Sequence, residues 1–183
     1  GSLQVSDTVK PEAREAVARM KKLGLKTVML TGDTEATAAE VAASTGIDKV
    51  HARLMPQDKL SLMREMQSGG EKIIFVGDGM NDAPVLAGAD VGAAMGSGAD
   101  AAIEAADVVF MTSEVNAVPK AIAIATEATK VAWQNVIFAL AVKALIMVAG
   151  ILGYASMWAA VFADTGVSVL CVLNSMRILY RRF

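Results

Sequence analysis

The sequence predicts a parallel α/β domain followed by a hairpin of two membrane-spanning helices, and three observations predict it. Short apolar runs alternate with helical patterns from Lys26 to Met111, as in a parallel sheet with helices on its faces. Charged residues crowd the stretch before Lys130, whereas Val131 to Met176 holds only Lys143 and Asp164. Finally, the apolar run Lys72-Ile73-Ile74-Phe75-Val76 leads into Gly77-Asp78-Gly79-Met80-Asn81-Asp82-Ala83-Pro84. That turn sets two carboxylates four residues apart where a strand gives way to a helix, the place at which open α/β sheets bind ligands.

Taken in order, Leu3-Gln4-Val5 reads as a short strand and Asp7 to Pro11 as a turn, with proline near a first helical turn. Glu12 to Leu23 has helical spacing, with Ala16, Val17, Met20 and Leu23 on one face, and Gly24 ends it. Lys26 to Leu30 is a strand stopped by Thr31-Gly32-Asp33, and Thr34 to Ser44 is an alanine-rich helix closed by Gly46. Lys49 to Leu54 is the next strand, and Met55-Pro56 opens a helix running to about Gln67. After the Ile73 to Val76 strand, the reading gives a helix from Asp82 to Ala87, strands at Val91 to Met95 and Val108 to Met111, and a helix at Ala101 to Ala105 between them. From Glu114 a helical pattern runs without a breaker into Val136 to Leu152, long enough to cross a hydrocarbon core that takes about 20 residues. Gly153 to Ser156 is a turn, and Met157 to Leu179 a second span. The expected division is 1–113 for the α/β domain, 114–135 for a linking helix and 136–183 for the hairpin. Lys120 and Lys130 before the hairpin, and Arg177, Arg181 and Arg182 after it, place both ends and the α/β domain on the cytoplasmic side.

Composition excludes several classes. A net charge of −2 gives no electrostatic footprint for nucleic acid. The single cysteine, Cys171, allows neither an intrachain disulfide framework nor a CxxC metal site, and reads as a small packing residue. His51 is the only histidine and has no sequence neighbour with which to form a metal site or triad. Gly96-Ser97-Gly98-Ala99-Asp100-Ala101 fits a dinucleotide fingerprint, but it lies late in the sheet and reads as a connecting turn.

Three strand ends converge on one sheet edge: Thr31-Gly32-Asp33, Pro56 through Lys59, and Asp78 through Asp82. A hydroxyl, a lysine and a carboxylate pair suit a phosphate held with a hard cation: the hydroxyl donates to phosphate oxygen, the ammonium offsets charge, and the carboxylates take the metal. The segments TGD, ARLMPQDK and VGDGMNDAPVL, with Asp7 to Pro11 upstream, resemble the phosphorylation domain of P-type ATPases, whose fold is haloacid-dehalogenase-like and Rossmann-like. The resemblance covers essentially the whole chain. It implies Asp78 as the Mg²⁺ ligand with Asp82 in support, Thr31 and Asn81 on the phosphoryl group with Gly32 and Asp33 beside them, and Lys59 stabilising the phosphoryl-aspartate. It also implies ATP and Mg²⁺ as cofactors, and an incomplete domain. The family's DKTGT nucleophile, its nucleotide-binding and actuator domains and its earlier membrane helices have no counterpart here, so this chain alone is expected not to form a phosphoenzyme. Those missing parts and the lipid bilayer are the expected partners.

Lys143 and Asp164 each add about 2.5–3.5 kcal/mol to membrane insertion, so they need a reason. At 1.5 Å per residue they lie roughly 15 and 12 Å from the outer turn, at matching depth near the midplane. Opposite charges there form either an ion pair that fixes register or a transported-ion site, with Asp164 the ligand and Lys143 the counter-charge. Lys143 after Gln134-Asn135, followed by Asp164-Thr165-Gly166, resembles the zinc, cadmium and lead exporters among heavy-metal P-type ATPases rather than the copper exporters. The sequence therefore reads as the C-terminal part of such a pump in a bacterial plasma membrane. Two other readings are a membrane-anchored haloacid-dehalogenase-type phosphatase, for which no fitting nucleophilic aspartate is present, and a non-catalytic subunit modulating a full-length pump.

Overall fold

The computed structural model describes residues 9–112, 114–154 and 156–181, so the strand read at Leu3 to Val5, Asp7, Thr8 and the flanking Arg182 lie outside the described residues. It divides into two compact units, 1–119 and 120–183.

The first unit alternates strand and helix as its pattern requires. Helix α1 (Ala13–Lys22) buries Ala16 and Val17, and strand β1 (Val28–Leu30) follows. Helix α2 (Glu35–Thr45) starts where the Thr34 hydroxyl accepts the Thr37 N–H, and ends at Gly46, whose φ of 82° is left-handed. Strand β2 (Lys49–His51) is shorter than the run to Leu54 that apolarity suggested. The reason lies in its exit: Arg53 takes a φ of 56° and donates its N–H to Asp33 O, bending the chain out of the sheet. Helix α3 (Pro56–Ser68) opens with proline in its first turn, and the Asp58 carboxylate accepts the Met55 N–H.

Strand β3 (Ile74–Gly77) gives way to a 3₁₀ turn, Met80–Asp82, and helix α4 (Ala83–Gly88). Strand β4 (Val91–Met95), helix α5 (Asp100–Ala105) and strand β5 (Val108–Phe110) complete the unit. The core lies where α3 and α4 cover the second group of strands. Met63, Val85, Leu86 and Ala94 there are wholly inaccessible, the large ones contributing about 1.5–3 kcal/mol each by burial.

All the strand pairings are parallel, as expected, but the single sheet is a correction. The strands form two sheets, β1-β2 and β3-β4-β5. Among the described residues β1 and β3 each keep one unpaired edge, and Val28 and Ile74 on them are 36% and 42% exposed. Alternation of apolar runs locates strands but does not say which ones pair.

The second unit is built on helix α6 (Ala117–Ile151), whose 35 residues make it about 52 Å long. The continuous helix runs through the predicted linker into the first span. The second span is interrupted. It comprises α7 (Met157–Val161), a π-helical segment (Phe162–Gly166), α8 (Val167–Met176) and a 3₁₀ turn (Arg177–Tyr180). Ala117–Ile151 and Phe162–Tyr180 are each long and apolar enough to cross a membrane. Polar rungs tie the two helical arms together. Arg181 meets Glu127 at 2.7 Å, Arg177 donates to Gln134, and the Asn135 amide donates to Ser175 Oγ at 2.9 Å and Cys171 O at 3.1 Å while accepting from Asn174 at 2.7 Å.

Candidate functional site

Parallel pairing puts the C-terminal ends of β1 and β2 on one edge of their sheet, and those of β3, β4 and β5 on one edge of theirs. A side-chain bridge joins the two edges. Lys59, in the first turn of α3, reaches Asp82 at the start of α4, with Nζ 2.9 Å from Oδ1 and only 16% and 14% of the two side chains exposed. These residues, 23 positions apart, were expected at the same edge; their direct pairing was not anticipated.

Asp82 Oδ2 turns back toward the glycine turn. A Cβ on Gly77 would lie 3.1 Å from it and one on Gly79 3.3 Å, so glycine at these positions leaves room for the carboxylate. Asp78 and Asn81 are exposed beside it. Thr31 is half-buried and its hydroxyl donates to Asp33 Oδ2 at 2.7 Å, while its backbone is tied into the β2 exit through His51 O and Leu54 N. The structure thus unites Lys59, Asp82 and the Asp78 turn directly. It places Thr31, Gly32 and Asp33 at the end of β1, where Thr31 and Asp33 are hydrogen-bonded to each other and to the β2 exit.

Among the described residues no group of three His, Cys, Asp or Glu side chains has metal-holding geometry. Two neighbouring carboxylates, one of them exposed, nevertheless fit Mg²⁺, which keeps several waters and is held by one or two carboxylates plus phosphate. Asp82 already gives one oxygen to Lys59, which leaves Asp78 as the freer donor.

The strongly shifted carboxylates lie elsewhere. Asp90 receives hydrogen bonds from Lys72, the Ile73 N–H and Gln67, and is held down to about 2, chiefly by Lys72. Asp48 is likewise lowered to about 2, first by Lys21 and then by the Thr27 N–H and hydroxyl. Both sit next to the N-terminal ends of strands, opposite the site, where they brace connections.

In the hairpin, Lys143 Nζ lies 3.1 Å from Asp164 Oδ1, so the two charges of the apolar segment do meet. Asp164 belongs to the π-helical segment, an irregularity frequent at functional sites and invisible to apolar periodicity. Gly166 allows it to pack: a Cβ there would come 2.8 Å from the Phe162 ring. Lys143 and Asp164 line an open cleft of about 510 Å³ with Met147, Met157 and Val161 among its walls. Cys171 makes a sulfur contact of 3.7 Å with Asn135 O, in keeping with packing.

Comparison with known proteins defines the class. Residues 1–90 match the profile of haloacid dehalogenase-like hydrolases, and residues 60–122 a second profile of the same description. The chain is 48% identical to a cadmium, zinc and cobalt-transporting ATPase of Bacillus subtilis over 98% of its own length and 26% of the relative's. It is 47% identical to a zinc-transporting ATPase of Synechocystis over 97% of its own length and 25% of the relative's. A crystal structure of a zinc-transporting PIB-type ATPase in the E2.Pi state superposes with a TM-score of 0.89 at 36% identity, covering 94% of this chain and 28% of that one. The fold is therefore a haloacid-dehalogenase-like domain followed in the chain by a membrane hairpin. Within that class, the chain belongs to the heavy-metal-transporting P-type ATPases, and spans about a quarter of the length of the curated relatives it matches.

Proposed function

We propose that this chain is the C-terminal part of an ATP-driven efflux pump for Zn²⁺, Cd²⁺ or a similar divalent ion such as Pb²⁺, with its α/β domain on the cytoplasmic side. The Lys143–Asp164 pair carries this reading. Its side chains are 56% and 78% exposed at mid-membrane depth, and intramembrane charges face a bundle interior or a water-filled cavity. Further helices of the same pump would cover them, with Asp164 supplying an oxygen ligand to the transported ion. Lys143 balances that carboxylate when the ion has left.

In the α/β domain, Asp78 would hold Mg²⁺, with Asp82 steadied by Lys59 behind it. Bound there, Mg²⁺ would neutralise charge on a transferring phosphoryl group. Lys59 brings its ammonium to the same edge, where it offsets phosphoryl charge. Asn81 and the Thr31 hydroxyl would donate to phosphoryl oxygens, the latter after releasing Asp33. A further parallel strand carrying the nucleophilic aspartate, paired to the unpaired edge of β1 or β3, would end on the same side as Asp78 and Lys59. The nucleotide-binding and actuator domains are the remaining partners.

Two measurements test this. The chain alone, given radiolabelled ATP and zinc, should form no acid-stable phosphoenzyme. The gene immediately upstream should encode DKTGT and Cys-Pro-Cys in frame; labelling of the isolated chain would overturn the reading.

A further inference from the structure

The loop Gly96-Ser97-Gly98-Ala99 between β4 and α5 has glycines at the spacing of a dinucleotide site, yet its N–H groups are turned inward. Gly96 N donates to Phe110 O at 2.6 Å, Gly98 N to Met95 O at 2.8 Å and Ala99 N to Asp78 O at 2.9 Å. Those three donors are spent on the protein's own backbone rather than on a phosphate. What the loop does grip is Asp78. A Cβ on Gly98 would lie 2.8 Å from Asp78 O, 2.9 Å from Met95 O and 3.1 Å from Asp78 Cα, so the two backbones run in direct contact. On the other side of the turn, Asp82 N donates to Gly79 O at 3.0 Å. The Asp78 carbonyl is thus held by the β4–α5 loop and the next carbonyl by Asp82, while the Asp78 carboxylate itself is exposed.

Gly98 does not have a left-handed φ, unlike Gly46. Glycine is needed there for clearance rather than for backbone conformation, so a single methyl group isolates the close approach.

We propose that Gly98 is a positioning residue for the metal-binding carboxylate: by letting the β4–α5 loop close on the Asp78 backbone, it sets where that carboxylate stands relative to Asp82 and Lys59. The proposal rests on Asp78 as the Mg²⁺ ligand. Groups that orient a metal ligand from behind typically change metal affinity by about 10- to 100-fold when altered.

The test uses the intact pump carrying this segment, with Mn²⁺ binding followed by electron paramagnetic resonance and the Mg²⁺ concentration for half-maximal phosphorylation measured alongside. Gly98→Ala should weaken Mn²⁺ binding about tenfold or more. Gly96→Ala is the matched control, because its Cβ would come 2.7 Å from Phe110 O, an equal clash directed at the end of β5. It should destabilise the fold similarly and leave Mn²⁺ affinity within about twofold of the parent, well short of that range. Equal weakening by both variants, or none by Gly98→Ala, overturns the positioning role. Should Gly98→Ala not fold, Ala99→Pro gives the same readout: it deletes the N–H donated to Asp78 at a residue whose φ of −65° suits proline. Asp78→Asn separates the underlying premise. If that variant binds Mn²⁺ as tightly as the parent, the metal assignment fails and Gly98's role fails with it; if it loses Mn²⁺ while Gly98→Ala does not, only Gly98's role fails.

Discussion

Lys59→Met tests the bridge between the two sheets. Methionine keeps most of the stem of Lys59 but removes the ammonium 2.9 Å from Asp82, leaving a carboxylate that is 14% exposed without its counter-charge. Coulomb attraction at this separation is about 6 kcal/mol at an effective dielectric of 20, and desolvation of both groups offsets much of it. Removing one partner of a buried pair costs about 3–5 kcal/mol, and the residual water access of both side chains argues for the lower end, about 3 kcal/mol. For a unit of this size that is a fall of about 10 °C in melting temperature. The double variant Lys59→Met/Asp82→Asn strands no charge, and should recover most of the loss, to within about 1 kcal/mol of the parent. Thermal unfolding of the full chain in detergent, with amide exchange at α3 and α4 reporting on the α/β unit, measures all three proteins. A drop under about 2 °C in the single variant, against the 10 °C worked above, or a double variant no better than the single, refutes the argument that the pair is an energetic link.

Other expectations follow from the same geometry. In the pump carrying this segment, Asp164→Ala should abolish zinc-stimulated ATP hydrolysis without preventing insertion, and Lys143→Ala should slow metal release; recovery of activity in the double variant would show that the pair serves register alone. Asp78→Asn should remove Mg²⁺-dependent phosphorylation and leave nucleotide binding intact, read as phosphoenzyme yield against nucleotide protection from proteolysis. For pH, Asp48 and Asp90 have folded values near 2, below the ordinary carboxylate value of 3.8, so they stabilise the fold fully above about pH 4 and lose that contribution as pH falls toward 2. Asp90→Asn should flatten the acid limb of a near-ultraviolet circular dichroism titration over that window. An unchanged limb would show that Asp90 carries none of the linkage.

How legible was this in the sequence? Element types came through because strands such as β1, β3 and β4 are apolar runs closed by glycine turns, and helices such as α1 and α4 bury adjacent apolar residues, Ala16-Val17 and Val85-Leu86. The meeting of Lys143 and Asp164 was legible from depth alone, since antiparallel helices joined by a short turn bring equal depths together. Pairing between strands was not, because hydrogen-bond partners leave no periodicity; hence one sheet was expected where there are two. The Lys59–Asp82 bridge was missed for a related reason: topology put both at one edge, but only side-chain reach decides that they touch. The Asn135, Asn174 and Ser175 rung was also missed, although polar side chains within an apolar hairpin were a visible signal. The π-helical turn at Asp164 had no signal beyond the glycine at Gly166.

The open edges of β1 and β3 have a consequence for how this chain behaves in isolation. Unpaired N–H and C=O groups beside exposed Val28 and Ile74 are a template for another chain, so an edge that could take an intramolecular strand also invites self-association. Two features blunt it. The strands are only three and four residues long, too short for an extended cross-β ladder, and Lys26 and Lys72 stand two residues before β1 and β3 respectively. Both are ion-paired across the surface, Lys26 with Glu71 and Lys72 with Asp90, and at 82% and 88% exposure they keep their charge in solvent. In-register parallel stacking of a second copy on either edge would set like lysines beside each other, which disfavours a fibre built on these strands.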